Sequence, residues 1–208
     1  MQDQHGRMIE YMRVSVTDRC NLRCVYCMPE NGITSVPHNE ILTFDEISRI
    51  CRIGVSLGIS RIKLTGGEPL VRKDLPELVG MIRRIQGIEQ VSLTTNGILL
   101  KDNINKLVSN GMDSVNVSID TLDEQSYFET TRGGGLAEAL EGIEAALKFP
   151  ELAVKINCVP LEGQSQEEWV RLAGLARDRK IDVRFIEMMP IGSGKQYAGA
   201  GQEKVLKT

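Results

Sequence analysis

The feature that most constrains the fold is the alternation of strand-like and helix-like segments along all 208 residues. Short runs of apolar or alternating residues are each followed by a polar or Gly-rich turn, and most then lead into apolar residues at helical spacing. Such βα units predict one parallel sheet, which right-handed crossovers turn into either a partial barrel or a doubly wound sheet. The six predicted strands are residues 11–17, 61–65, 91–94, 114–120, 153–159 and 182–187.

Helix starts are marked by polar residues that can cap the first turn. Asp102 is predicted to cap a short helix ending at Asn110, and a longer helix is predicted over residues 136–149. The segment between the fourth strand and residue 136 is polar and carries no helix prediction. Three further helices open with a capping-box pattern, formed by Thr43 with Glu46, Asp74 with Glu77, and Ser165 with Glu168.

Several predicted strands alternate polar and apolar residues, whereas buried parallel strands usually form continuous apolar runs. The apolar sides are expected to face the helices, so that the polar sides line an interior cavity. Four cations fall on these polar sides, namely Arg13, Lys63, Lys155 and Arg184. Buried cations need counter-charges, and a polyanion such as a nucleoside triphosphate would supply them.

A plainer interpretation of these cations stays open. They can sit at strand ends with their charged heads in water, or pair with Asp120 and Glu187.

Three cysteines with the spacing C-x3-C-x2-C follow the first strand: Cys20, Cys24 and Cys27. Three thiolates can hold three irons of a four-iron cluster and leave the fourth iron open to a small molecule. Unliganded thiols and a zinc site are the alternatives, although zinc needs a fourth ligand and the chain has only His5 and His38. A disulfide framework is typical of short secreted chains and does not suit this one. Cys51 lies on an apolar helix face and is predicted to be a core residue.

Composition excludes several classes of function. A net charge of −3 gives no basic field for nucleic acid or for an anionic membrane surface. No apolar run approaches the ~18–20 residues of a membrane span, and residues 1–7 do not resemble a signal peptide. Five cysteines, three of them clustered, fit a reducing cytoplasm.

The cysteine spacing, with Tyr26 inside it, resembles the cluster motif of the radical S-adenosylmethionine (SAM) enzymes. Gly66-Gly67-Glu68-Pro69, after the second strand, resembles the Gly-rich SAM motif of the same superfamily. The resemblance implies a partial (β/α)6 barrel as the fold. The runs 15–24, 93–97, 115–120 and 184–187 resemble one family in particular, the GTP 3′,8-cyclases that begin molybdenum-cofactor (molybdopterin) biosynthesis.

The resemblance implies roles for individual residues. The three cysteines would ligate a 4Fe–4S cluster whose open iron SAM chelates, and backbone groups at a glycine could approach SAM closely. Positions that match SAM contacts are Tyr26, Gly67, Ser118 and Met189. Positions that match GTP contacts are Arg13, Lys63, Thr94 and Lys155.

The implied reaction begins with reductive cleavage of SAM by one cluster electron. The resulting 5′-deoxyadenosyl radical would take a hydrogen from the ribose 3′ carbon of GTP, and that carbon would bond to C8 of guanine. The product would be (8S)-3′,8-cyclo-7,8-dihydroguanosine 5′-triphosphate. The expected partners are GTP, a reducing electron donor and, as a further option, a second copy in a homodimer; no nucleic acid or membrane partner is expected.

The family also carries a second cluster, held by three cysteines in a C-terminal region that the 208 residues do not contain. We therefore expect a radical SAM core over residues 1–190, a disordered or unpartnered Gly-rich tail over 191–208, and no anchor for the guanine base. A different radical SAM enzyme, a truncated non-catalytic cluster- and SAM-binding module and a zinc-binding structural protein remain the alternatives.

Overall fold

A computed structural model describes residues 2–189 and 191–206. Its centre is one six-stranded sheet in which every neighbouring pair is parallel and the order follows the chain, β1-β2-β3-β4-β5-β6. The strands are β1 Tyr11–Ser15, β2 Arg61–Thr65, β3 Gln90–Thr95, β4 Ser114–Ser118, β5 Ala153–Cys158 and β6 Ile181–Phe185.

The strand order decides between the two predicted architectures. A doubly wound sheet reverses its strand order part-way, whereas here the order never reverses. Right-handed crossovers in one continuous direction put all helices on one side of the sheet. Among the described residues no pairing joins β6 to β1, so the sheet is an open, partial (β/α)6 barrel.

The helices cover the apolar side of the sheet and complete one core. Ile62 and Leu64 of β2 are fully buried, as are Leu78 and Ile82 of the helix that follows. The helices are α1 Phe44–Ser56, α2 Leu75–Arg83, α3 Leu100–Ser109, α4 Glu124–Thr131, α5 Leu136–Ala146, α6 Gln166–Gly174 and α7 Gln202–Leu206. Short 3-10 turns occupy His38–Glu40, Pro69–Val71 and Gly192–Gln196.

The strand register confirms that the four cations share one face. Arg13 lies beside Lys63, and the same row continues through β3 and β4 to Ala153, two residues before Lys155. Lys155 lies beside Asp182, two residues before Arg184. Because side chains two residues apart in a strand point the same way, all four cations lie on the face away from the core.

Of the four predicted helix caps, two form and two do not. The capping boxes at Thr43 and Ser165 form as predicted. Asp74 instead adopts a left-handed backbone with φ of 59° and makes no side-chain cap, and α2 begins with Leu75 and Pro76. Asp102 lies inside the first turn of α3, because that helix already starts at Leu100.

The segment before residue 136 contains a helix that the sequence pattern did not predict. In α4 the buried side chains are Tyr127 and Thr131, one turn apart, and the rest of the helix is mainly polar. Asp123 caps it by accepting a hydrogen bond from the backbone N–H of Ser126 at 2.8 Å. A single buried aromatic residue is too little apolar periodicity for sequence analysis to detect.

Residues 191–206 contain two short helical turns where a disordered tail was expected. The backbone N–H of Ala200 donates to Pro160 O at 2.9 Å, and that of Glu162 donates to Ala198 O at the same distance. Ala200 is buried as a result. Residue 190, at the expected boundary between core and tail, and residues 207–208 lie outside the described residues, and the boundary itself stays a prediction.

Candidate functional site

The loop after β2 is hydrogen-bonded to the start of the loop after β1 that carries Cys20, Cys24 and Cys27, called the cysteine loop below. The backbone N–H of Gly67 donates to Thr17 O at 2.7 Å, and that of Glu68 donates to Arg19 O at 2.7 Å. A Cβ on Gly67 would lie 2.2 Å from Arg19 O, and one on Gly66 would lie 2.5 Å from Thr17 O. Both glycines are therefore required by the approach of two backbones, a reason that adds to the predicted approach of SAM.

Glu68 joins the loops after β2 and β3 from within. Its side chain is 1% exposed, and it accepts hydrogen bonds from the Thr95 hydroxyl at 2.7 Å and from the N–H groups of Asn96 and Leu70 at 2.7 and 3.0 Å. Burial raises the pKa of Glu68, and these hydrogen bonds oppose the rise. Asn96 in turn donates to the side-chain oxygen of Asn21, so three loops are connected.

The other side of the cysteine loop is held by the end of α4. The N–H groups of Arg23 and Val25 donate to Thr131 O at 3.1 Å and Thr130 O at 2.9 Å. Arg132, which ends the helix in a left-handed conformation with φ of 55°, donates from Nη1 to the carbonyls of Arg23 and Met28. The loop that carries the thiols is thus held on both sides by the protein's own hydrogen bonds.

Tyr26, inside the cysteine loop, is hydrogen-bonded to an acid on the far side of the site. Its hydroxyl donates to Asp120 Oδ2 at 2.6 Å, while Asp120 Oδ1 accepts from the N–H of Val159 at 2.8 Å. Asp120 is 7% exposed. Burial raises its pKa, and the hydrogen bonds from Tyr26 and Val159 work in the opposite direction. Asp120 therefore couples the cysteine loop to the ends of β4 and β5.

The three thiols of the cysteine loop differ in their exposure to solvent. Cys27 is exposed, whereas Cys20 and Cys24 are half-buried. Burial raises the pKa of each thiol, most of all that of Cys24, to about 12. In the described part of the chain, no three His, Cys, Asp or Glu side chains are placed to hold a single metal ion.

Zinc needs its ligands gathered on one ion, and the described residues do not show such a group. A four-iron cluster instead takes one thiolate on each iron. Three separate thiols on one fixed, partly exposed loop fit this requirement.

The predicted substrate contacts lie on the polar face of the sheet. Arg13 and Lys63 are neighbours across β1 and β2, and Thr94 lies two strands from Lys155 in one row. Arg13 and Arg184 are exposed, whereas Lys63 and Lys155 are half-buried.

The described residues offer these cations few partners. Lys155 Nζ lies 3.6 Å from Asp182 Oδ2, so its carboxylate partner is neither Asp120 nor Glu187. Lys63 lies 5.8 Å above the ring of Tyr11.

The remaining predicted SAM positions lie at strand ends. Ser118 is the last residue of β4 and is half-buried, and Met189 follows β6 with 65% of its surface exposed. Sequence analysis did not assign site roles to Glu68, Asn96 or Asn21, and it named Asp120 only as an alternative ion-pair partner for the cations. The available signal was a polar residue directly after a strand, but nothing in the sequence pairs Asp120 with Tyr26, 94 positions away.

Comparison with protein families settles the superfamily. The model of the radical SAM superfamily matches residues 14–176, which include the cysteine loop and strands β2 to β5. The chain belongs to the radical SAM superfamily. Radical SAM enzymes use a 4Fe–4S cluster and SAM. The three thiols on one loop are the ligands expected for such a cluster.

Curated relatives are similar over nearly the whole chain. A GTP 3′,8-cyclase of Pelotomaculum thermopropionicum is 52% identical over 95% of this chain, and one of Clostridium perfringens is 45% identical over all of it. The chain spans 61% and 64% of the length of these two proteins.

Solved structures confirm the partial-barrel fold. Streptococcus suis SuiB bound to S-adenosylmethionine superposes with a TM-score of 0.74 at 20% identity, over 95% of this chain and 45% of SuiB. Methylornithine synthase gives 0.68 at 19% identity, over 86% of this chain and 53% of that one. Within the described residues, no helix has the length and apolar character needed to span a bilayer.

Proposed function

We propose that this chain is the radical SAM core of a GTP 3′,8-cyclase, the enzyme that begins molybdenum-cofactor biosynthesis. The support is the similarity to proteins of that name, 52% in the case quoted, together with the geometry of the polar face. The strand register is the observation that carries the substrate assignment. It brings four cations from four strands to one face, beside the loops that hold the thiols.

In this proposal Cys20, Cys24 and Cys27 hold the 4Fe–4S cluster, and SAM lies against Tyr26, Gly67, Ser118 and Met189. When bound, the cluster and SAM supply a one-electron reduction that yields a carbon-centred radical for hydrogen abstraction. The chain's own residues contribute by holding the groups around the cluster and SAM in fixed positions. The hydrogen bond to Asp120 fixes the Tyr26 ring, and the two glycines bring the loop after β2 against the cysteine loop.

Arg13, Lys63, Thr94 and Lys155 are proposed to bind GTP, with Arg184 as a further cation on the same face. The triphosphate would supply the negative charge that Arg13 and Arg184 lack among the described residues. Lys155 would exchange its ion pair with Asp182 for a phosphate oxygen. Holding GTP in one orientation matters because a radical acts on whichever hydrogen is nearest.

The remaining partners also belong to the proposal. A reducing electron donor is required because the chemistry consumes an electron, and a homodimer is a further option. All five cysteines are free, which supports a reducing cytoplasm as the compartment.

The decisive experiment is anaerobic reconstitution with iron and sulfide, followed by incubation with SAM, dithionite and GTP. We expect brown protein with about four irons per chain, and 5′-deoxyadenosine released faster when GTP is present. Colourless protein with stoichiometric zinc would overturn the cluster assignment. If 5′-deoxyadenosine is released at the same rate with and without GTP, the substrate is another molecule. If a cluster-loaded chain releases no 5′-deoxyadenosine, the chain is a non-catalytic module.

A binding experiment tests the substrate face separately from the chemistry. Because the assigned cations recognise phosphates, affinity measured by calorimetry should rise from guanosine through GMP and GDP to GTP. The rise should weaken at high salt. Equal affinity for guanosine and GTP would remove the phosphate role from this face.

A further inference from the structure

Tyr127 on α4 has a buried hydroxyl for which the structure offers no partner. The side chain is 2% exposed, and its hydroxyl oxygen is one of two buried side-chain polar atoms without a hydrogen bond in the described part of the chain. A buried donor with no acceptor is costly and therefore rare. We propose that the Tyr127 hydroxyl donates a hydrogen bond to sulfur at the Cys24 corner of the cluster and thereby raises the cluster's reduction potential.

The position of Tyr127 points to that corner. One turn further along α4, Thr130 and Thr131 accept backbone hydrogen bonds from Val25 and Arg23, the two residues that flank Cys24. The ring also lies under the same loop. A Cβ on Gly134 would touch both Tyr127 Cε1, at 3.1 Å, and Leu22 Cδ2, at 2.8 Å.

The carboxylates near Tyr127 already have donors. Asp120 accepts from Tyr26 and Val159, and Glu68 accepts from three groups. Glu138 is exposed and can be solvated by water. Neither buried acid therefore needs the hydroxyl of Tyr127.

Cys24 is the acceptor that still needs a donor. The sulfur of Cys20 accepts from the N–H of Leu22 at 3.4 Å, and Cys27 is exposed to water. Among the described residues, no other residue donates to the sulfur of Cys24. Burial first, and then the nearby charges of Cys24 and Asp120, raise the pKa of Tyr127, so its hydroxyl keeps the proton that it would donate.

A donor at this place has a defined effect on the cluster. Hydrogen bonds to cluster sulfurs are one of the factors that set the reduction potential. The reduced cluster carries one more negative charge than the oxidised cluster, and a hydrogen bond to a charged acceptor is stronger. Tyr127 would therefore favour the reduced state. Tyr127 acts on the cluster through the sulfur of Cys24 and does not touch the substrate.

The inference rests on the proposed cluster site, and the test separates the two. Wild-type chain, Tyr127→Phe and the matched control Tyr11→Phe are reconstituted, and each cluster is titrated anaerobically while electron paramagnetic resonance follows the reduced form. Tyr11 begins β1, at the end of the sheet away from the cysteine loop. At a fixed potential we expect the reduced-to-oxidised ratio to fall three- to tenfold in Tyr127→Phe, about 59 mV for tenfold, and to stay constant in Tyr11→Phe.

The melting temperature of the metal-free chain gives a second readout. Because the hydroxyl has no partner there, Tyr127→Phe should melt at or above the wild-type temperature. An unchanged potential at full iron content overturns the inference. So does a variant that melts several degrees lower or fails to fold, since the hydroxyl would then have a partner, such as a buried water, before the cluster binds. A wild-type chain that takes up no iron overturns the proposed function instead.

Discussion

The cysteine-loop end of the sheet and the cationic face are built on opposite principles. At the cysteine loop, Glu68, Tyr26 and Arg132 connect loops from four parts of the chain through buried or partly buried hydrogen bonds. On the cationic face, Arg13 and Arg184 are exposed, and Lys155 has an ion pair with a carboxylate that is itself 65% exposed.

This difference separates two ways of preparing a site. The loop geometry is set by the protein's own hydrogen bonds and close backbone contacts, so it should survive without ligands. The cationic face holds several positive charges, of which Lys155 has a carboxylate partner, and a bound anion would neutralise the others. Substitutions at the first region should therefore change folding stability, and substitutions at the second should change affinity.

Glu68→Ala should have the largest effect on stability. It leaves the Thr95 hydroxyl and the N–H groups of Asn96 and Leu70 without their acceptor. We expect the free energy of unfolding to fall by about 3 kcal/mol, measured by urea denaturation of the metal-free chain. Glu151→Ala, an exposed control, should stay within about 0.5 kcal/mol of wild type. Equal effects would mean that Glu68 is not structural.

Gly67→Ala should come next. The added Cβ would meet the backbone of Arg19 at 2.2 Å, so two loops must separate, at a cost of about 2 kcal/mol. The iron bound per chain after reconstitution should also fall, because the cysteine loop is displaced. Gly174→Ala, where no atom lies within 4 Å, should instead be neutral or stabilising by up to about 1 kcal/mol. Full iron content in Gly67→Ala would show that the loop adapts.

Tyr26→Phe removes one hydrogen bond and leaves the ring in place. Asp120 keeps its bond from Val159 but loses the hydroxyl at 2.6 Å. We expect a loss of about 1 kcal/mol in thermal unfolding. Tyr11→Phe, at a residue that is 44% exposed at the edge of the sheet, is the matched control and should not change stability. A loss in both variants would contradict a specific role for the Asp120 bond.

Lys155→Ala should change stability least and affinity most. Its ion pair with Asp182 is partly exposed and is worth at most about 1 kcal/mol. GTP affinity should fall about tenfold, the loss of one charge-assisted hydrogen bond, while SAM affinity stays constant. Equal losses for GTP and SAM would argue against the cavity assignment. The exposed Lys106→Ala on α3 serves as the control for general charge effects.

Sequence analysis predicted the sheet well because the strand signal is local. Alternation in residues 114–118 and 153–158 identified the polar face, and the register then aligned it across all strands. Some strand ends were predicted too late: β4 ends at Ser118 and β6 at Phe185, because the residues beyond them are loop residues with strand-like alternation.

The contacts that fix the site were not predictable from a single sequence. Asp74 has the capping-box pattern, yet its left-handed backbone prevents the cap. Tyr26 and Asp120 meet only because β1 and β4 end at the same edge of the sheet. A glycine motif indicates a close approach but does not say which backbone approaches; at Gly67 that backbone belongs to Arg19.

The burial of Cys51 and Cys158 has a practical consequence. Both side chains are fully inaccessible, and burial raises the pKa of both thiols, to about 11 in Cys51. Because these two side chains are inaccessible, thiol reagents, as well as iron and sulfide during reconstitution, meet only the exposed Cys27 and the half-buried Cys20 and Cys24. In the native protein a thiol-labelling reagent therefore reports empty cluster sites, since it can react in an empty chain, first at the exposed Cys27, and not in a loaded one.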